Sequence, residues 1–281
     1  MALYALYFED LISANDAPDE GSFYCLECRG PLRIRERRQR RHFYHIKTSP
    51  NCRLYSKSEA HLVLQSSIQN LFPPGEIILE RPFLPIRRIA DACWEKGKMI
   101  FEVQCSPISE KEAQKRTLDY ESMGYSLAWL LSDQRFNQPI LQAAEKFLRE
   151  GLCYFARYQK TKKPFFYDQF EIFSDNKRLK KSAPLPINLT HPQKTPKLPE
   201  NTLQQILKRS SKGLFFEGDL VCQVIESSSN KLLNGAIQNW AFFEREAEEK
   251  QKDFLNKRRW LKPLWRLSDW LFKRIYGNDS Y

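Results

Sequence analysis

The 281-residue chain is 42% hydrophobic and 28% charged, which excludes a disordered protein and allows two or three domains with at least one sizeable core. Its net charge of +11 favours nucleic acid or another anionic surface as partner. No apolar run reaches the roughly 20 residues of a spanning helix, so stable membrane insertion is not expected.

The N-terminal "MALYALYFED" has no basic region ahead of an apolar one, and reads as a first strand and not as a secretory leader. Seven cysteines without such a leader indicate a reducing compartment, and the expected location is cytoplasmic. Within residues 1–56, Cys25-x-x-Cys28 is followed by His42, His45 and Cys52. A knuckle of this spacing with a later His and Cys fits a structural Cys₃His zinc site, which would stabilise a segment too short to fold on apolar burial. His45 is the expected fourth ligand, with His42 as the alternative. A redox CxxC is the competing reading, disfavoured by the lack of a βαβ context. Between the ligands, "RGPLRIRERRQRR" holds seven arginines and one glutamate. Guanidinium groups bind phosphate bidentately, so Arg33, Arg35, Arg37, Arg38, Arg40 and Arg41 are candidate nucleic-acid contacts; the alternative is a solvated charged hairpin.

Residues 57–150 carry the clearest pattern. A helix is expected from about Ser58 to Phe72, stopped by Pro73-Pro74. Strands follow at 76–82, 89–94 and 99–104, the last two forming a hairpin in which Gly97 supplies a positive φ. If the hairpin is centred on Lys96-Gly97, Asp91 faces Glu102. Opposed like charges on one sheet face are destabilising, and a divalent cation between them would turn the liability into a ligand pair. A bulge-shifted register would instead give each carboxylate its own surface pairing. Ser109 and Glu112 make a capping box for a second helix running to Met123, with Gly124 just past its end. "YSLAWLL" reads as a strand covered on both faces. The order is αβββαβ. Gln104 shares a sheet face with Glu102, and Arg116 and Tyr120 share a helix face. Glu59, at the start of the first helix, could add a third carboxylate, or simply favour the helix dipole.

Residues 151–200 hold six of sixteen prolines and read as a loop-rich connector. Residues 201–281 return to helical spacing, with stripes at Leu233, Ile237, Trp240, Phe243 and at Leu264, Leu267, Leu271, Ile275. Four of the six tryptophans lie here, in a basic segment suited to packing in its own core, or otherwise to a membrane surface or single-stranded bases.

The stretches "CLEC", "RHFYH…C", "SEAH", "ADA", "FEVQCSPIS", Arg116-x-x-x-Tyr120 and "GYSLAWLL" together resemble the competence protein CoiA family, of the PD-(D/E)XK nuclease superfamily. The resemblance covers about residues 20–132. It implies a mixed α/β, restriction-endonuclease-like αβββαβ core (57–150) behind an N-terminal zinc-binding module (1–56); the connector (151–200) and the C-terminal basic helical domain (201–281) rest on composition and helical spacing alone. It also implies Asp91 and Glu102 as magnesium or manganese ligands, Gln104 where most of the superfamily has lysine, and Arg116 and Tyr120 as the second-helix signature. Gln65 stands where a lysine is expected. The implied function is metal-dependent cleavage of incoming DNA during natural transformation and recombination; single-stranded DNA and recombination proteins are the expected partners. Losing a charged donor at 104 would slow it. A DNA-binding accessory protein without useful turnover is the alternative, and a membrane-surface interaction protein acting through its C-terminal helices is the third.

Overall fold

The computed structural model describes residues 2–37, 40–47, 52–174, 176–198, 203–227 and 238–257. Two sheets organise them. The N-terminal sheet comprises β1 (Tyr4–Tyr7), β2 (Asp10–Ser13), β3 (Phe23–Tyr24), β4 (Pro31–Arg37) and β5 (Arg40–His45), in the order β2-β1-β3-β4-β5. Its inner face buries Ala5, Phe23, Leu32 and Phe43 beside Cys25 and Cys52. So small a cluster needs a metal or a packed neighbour to be stable.

The expected αβββαβ order is the order observed: α1 (Glu59–Gln69), β6 (Ile77–Phe83), β7 (Arg88–Trp94), β8 (Met99–Gln104), α2 (Glu110–Ser122) and β9 (Ser126–Ser132). The Ser58 hydroxyl caps α1 by accepting from the His61 N–H at 3.2 Å. The helix ends at Gln69, earlier than expected, because Leu71 and Phe72 bond back to Ile68 and Gln69 as turns. Ser109 caps α2 through the Glu112 N–H, but Glu112 does not complete a capping box. Its carboxylate goes to Arg88 at 2.6 Å and Arg116 at 3.2 Å, charged donors that bind it more strongly than a neutral N–H. Gly124 (φ +77°) closes the helix as expected.

The β7–β8 hairpin differs from expectation at its turn. The positive φ falls on Lys98 (49°) and not on Gly97. Gly97 is required for a different reason: a Cβ there would lie 2.1 Å from the Trp94 ring.

The central sheet does not stop at residue 150. α3 (Ala143–Leu148) leads to β10 (Cys153–Gln159), parallel to β9, and then to β11 (Lys162–Asp168), antiparallel to β10. β12 (Glu171–Ser174) and β13 (Lys177–Lys181) form a small ribbon, and β14 (Leu185–Pro186) closes the seven-stranded order β14-β11-β10-β9-β8-β7-β6. The expected connector is therefore largely sheet. Its prolines mislead because they occupy tolerated places: Pro164 lies at the irregularity opposite Arg157–Gln159, and Pro186 on the edge strand.

Beyond it, β15 (Asn188–Lys194) pairs with β16 (Leu214–Glu217), flanked by α4 (Gln204–Ser210) and α5 (Leu220–Ser227). This region packs onto the sheet and does not stand apart. Phe216 is buried against Phe101 and Tyr154, and the Tyr154 hydroxyl donates to Asp219 at 3.0 Å. A buried ion network adds to the tie: Arg149 pairs with Asp168 at 3.0 Å and Glu171 at 3.1 Å, and Arg209 of α4 also binds Asp168. Residues 238–257 are helical, with Trp240 stacked on Phe170 at 6.1 Å. The stripe from Leu264 to Ile275, and Leu233, Ile237, Trp260, Trp265 and Trp270, lie outside the described residues.

Candidate active site

Register places three acids in one row. Ala92 pairs with Phe101, Cys93 with Ile100 and Trp94 with Met99, so one step further Asp91 stands opposite Glu102. On the other side, Leu79 pairs with Ala92 and Arg81 with Ala90, which puts Glu80 opposite Asp91. The three are 0%, 5% and 3% exposed for Glu80, Asp91 and Glu102 respectively, in a chain where unpaired buried charge is prohibitive. Each is accordingly surrounded by donors.

Asp91 Oδ1 receives Lys57 Nζ at 2.8 Å and His61 Nε2 at 3.0 Å, while Oδ2 accepts the Val103 N–H at 2.9 Å. Burial opposes its charge, but His61 and Lys57 outweigh it and hold the carboxyl well below the usual range. Glu102 takes Arg116 on Oε2 at 2.9 Å and the Tyr120 hydroxyl on Oε1 at 2.8 Å. Burial and the neighbouring Asp91 nevertheless push its carboxyl up. Burial, and then Glu102, likewise keep the Tyr120 hydroxyl protonated, hence a donor. Lys57 also reaches Glu80 Oε1 at 3.0 Å and Gln65 Oε1 at 3.3 Å. Burial works against its charge, but Asp91 and Glu80 raise its pKa overall. Glu80 Oε2 is closed off by the Leu3 and Tyr4 N–H groups, each at 3.0 Å.

Lys57, His61, Asp91, Glu102, Gln104, Arg116 and Tyr120 line a cleft of about 400 Å³, whereas Glu80 and Gln65 lie behind it. Glu27, from the cysteine knuckle, forms part of the same wall. The sequence-derived residues Asp91, Glu102, Gln104, Arg116 and Tyr120 are thus brought together. Gln104 uses its amide N–H groups on Ser106, at 2.7 Å to the carbonyl and 3.2 Å to the hydroxyl. Glu59 is not brought in: it does not line the cleft, and its carboxylate accepts the Tyr158 hydroxyl at 3.4 Å. Two residues before His61, it lies about 200° round the helix from the inward face that His61 and Gln65 occupy. Sequence reasoning missed Lys57 and Glu80. A glutamate within the apolar run "IILERPF" was a signal; nothing local marked Lys57, whose role arises only in the tertiary fold.

The second cluster lies in the N-terminal sheet. The ligand atoms of Cys25, Cys28, His45 and Cys52 all lie within 4.8 Å of one another. Cys25 and Cys52 sulfurs are 3.6 Å apart, and His45 Nε2 is 3.3 Å from Cys28 and 3.5 Å from Cys52. Tetrahedral zinc would set S–S edges of about 3.8 Å and S–N edges of about 3.6 Å, so the donor set fits zinc. The Glu27 N–H also points at Cys25 Sγ at 3.4 Å, as a thiolate acceptor requires. Without a cation, burial pushes the Cys25 and Cys52 thiols up, and a metal would offset that cost. His42 belongs to the opposite face of β5, across from Arg35, and is not part of the cluster.

The arginine run splits between faces. Arg33 and Arg35 are exposed on the outer face of β4, Arg35 lying 4.7 Å over the Tyr44 ring. Arg41 turns the other way and binds Asp19 at 2.8 Å. Arg37 stands opposite Arg40 in the register, and Arg38 lies outside the described residues.

A mixed α/β sheet carrying apposed carboxylates, with an arginine and a tyrosine from the crossing helix, defines a nuclease-like protein. The family model for the competence protein CoiA nuclease-like domain matches residues 56–210, more than half of the chain, and the chain belongs to that family. No curated protein and no solved structure matches it. Among the described residues, no helix is long and apolar enough to cross a membrane.

Proposed function

We propose that the protein is a divalent-metal-dependent deoxyribonuclease that acts on incoming single-stranded DNA during natural transformation, in the cytoplasm and together with recombination proteins. The observation that carries this reading is the apposition of Asp91 and Glu102 across adjacent strands in a cleft that also holds Lys57 and Arg116. Glu27, Asp91, Glu102 and Glu112 line the cleft against Lys57, Arg88 and Arg116. A dication between Asp91 and Glu102 would offset the repulsion between them and prepare the cleft for phosphate. Asp91 and Glu102 would hold magnesium or manganese, with the Val103 carbonyl as a further oxygen donor. Such an ion lowers the pKa of bound water and polarises the scissile phosphate. Arg116 and Tyr120 orient Glu102 and hold its lone pairs toward the cleft. His61 fixes the Asp91 carboxylate. In the N-terminal module, zinc held by Cys25, Cys28, His45 and Cys52 would be structural, fixing the knuckle that supplies Glu27 to the cleft wall.

The test is cleavage of labelled single- and double-stranded DNA with Mg²⁺, Mn²⁺ or EDTA, beside Asp91→Ala. Metal-dependent cutting that the variant loses is the expected result. One observation favours a second reading, a DNA-binding accessory protein without turnover: the Gln104 amide is committed to Ser106. Equal binding and no cutting by both proteins would select it.

A further inference from the structure

Lys57 is the only lysine among the described residues that line the cleft, and no strand or helix carries it. It sits in the short link between the zinc-cluster residue Cys52 and the Ser58 cap of α1, and its side chain is only 7% exposed. Its ammonium bridges two buried carboxylates, Asp91 Oδ1 at 2.8 Å and Glu80 Oε1 at 3.0 Å. The two partners differ in kind. Asp91 opens on the cleft, whereas Glu80 does not line it and is anchored by the Leu3 and Tyr4 backbone. Gln65 joins the arrangement, accepting from Lys57 at 3.3 Å while its own amide donates to the Asp91 carbonyl at 2.7 Å.

The Gln104 amide and the terminal groups of the two arginines in the cleft are already engaged. Gln104 is neutral and bound to Ser106. Arg116 is shared between Glu102 and Glu112, and Arg88 between Glu112 and Asp119. An ammonium is a compact charge with rotatable donors, and it exchanges one acceptor for another without the planar constraint of guanidinium.

We infer that Lys57 is the cation that meets the scissile phosphate, and that Glu80 is its positioning residue, keeping the ammonium in the cleft when Asp91 engages a divalent ion. The inference rests on the nuclease reading above. In the metal-free cleft Lys57 neutralises Asp91. With Asp91 engaged by a dication, the Lys57 ammonium would keep its bond to Glu80 and turn its freed N–H to a phosphate oxygen. Lys57 thus opposes metal binding and favours the reaction, a pair of effects with opposite signs that a purely structural lysine does not have.

The experiment uses the full chain and four variants: Lys57→Met, Lys57→Met with Glu80→Gln, Lys57→Met with Gln65→Lys, and Asp91→Ala. Single-turnover cleavage by Lys57→Met is expected to fall about 10²-fold with DNA affinity little changed. Mn²⁺ titrated into the DNA-free protein is expected to bind Lys57→Met about tenfold more tightly, since a nearby like charge has gone. Gln65→Lys returns an ammonium to the same place and is expected to recover most of the lost rate. The Glu80→Gln double variant removes both buried charges, so it answers the question even if Lys57→Met alone folds poorly. Cleavage by that double variant within about threefold of wild type, or Mn²⁺ affinity unchanged in folded Lys57→Met, overturns the inference while leaving the nuclease reading intact. A wild-type protein that cuts no better than Asp91→Ala overturns both.

Discussion

Tyr120 and Glu102 are joined by a 2.8 Å hydrogen bond from the phenol to Oε1, between a helix and the buried strand it crosses. The bond is charge-assisted and sits in low dielectric, so it both locks α2 onto the sheet and fixes how the carboxylate presents its remaining lone pairs. Arg116, one turn earlier, does the same for Oε2 at 2.9 Å.

Tyr120→Phe removes the donor and leaves the ring, so the aromatic contact with Phe83 at 5.5 Å is kept. The buried Glu102 oxygen loses its partner, and stability is expected to fall by about 1–3 kcal/mol. Urea unfolding of wild type and variant checks this; an unchanged midpoint would show that the bond is not formed in solution.

The two carboxyls of the hairpin make opposite contributions with pH. Asp91 is held below its usual value of 3.8, so its stabilisation is complete above that value and is lost as pH falls toward the folded-state value. Glu102 is raised above its usual 4.5, so stability declines as pH rises from there through its folded-state value. Asp91→Asn should therefore lessen the acid limb of stability against pH, to which Asp168 also contributes, and Glu102→Gln should lessen the decline above 4.5, to which Glu145 and Asp219 also contribute. Thermal unfolding across that range, in buffer free of Mg²⁺ and Mn²⁺, reads both slopes.

Much of this was legible in the sequence, and the reasons are specific. The hairpin register followed from a short turn between two apolar runs, which sets Asp91 against Glu102 once the turn is centred on Lys96-Gly97. The α2 start and end were written in Ser109 and Gly124, residues whose capping chemistry is local. Lys57 and Glu80 were not legible because their pairing joins positions 23 apart, with the whole of α1 and a loop between them. The sheet beyond residue 150 was hidden by prolines that occupy a bulge and an edge. Gly97 was identified as special for the wrong reason, since sequence marks a glycine but not whether its φ or its missing Cβ is needed.

Gly97→Ala tests that distinction. A methyl group 2.1 Å from the Trp94 ring forces the ring or the turn to move, and the expected loss is about 1–3 kcal/mol. Lys98→Gly, at the residue with φ 49°, should instead stabilise the turn by up to about 1 kcal/mol. Denaturation of both variants settles which residue carries which constraint.

The cluster of Cys25, Cys28, His45 and Cys52 is expected to hold one zinc ion per chain. Elemental analysis of protein purified without chelator should find it in wild type and His42→Ala, and should find it lost in His45→Ala. Retention by His45→Ala with loss in His42→Ala would reverse the assignment. Stripping zinc is also expected to lower stability by several kcal/mol, because the N-terminal core is too small to hold its strands alone.

The split of the arginine run gives a quantitative expectation for DNA binding. Arg33 and Arg35 project from one exposed face, whereas Arg41 is turned away and paired with Asp19. Each phosphate contact to a single strand adds about 0.7 to the slope of log affinity against log salt concentration. Replacing Arg33 and Arg35 with alanine should therefore reduce that slope by about 1.4, if each meets one phosphate, and weaken binding at low salt regardless of sequence. Arg41→Ala should change the slope much less. Fluorescence anisotropy with a labelled single-stranded oligonucleotide at several salt concentrations measures all three. Equal slopes for wild type and the double variant would remove this face from the DNA path, since a phosphate contact cannot be lost without releasing fewer counterions.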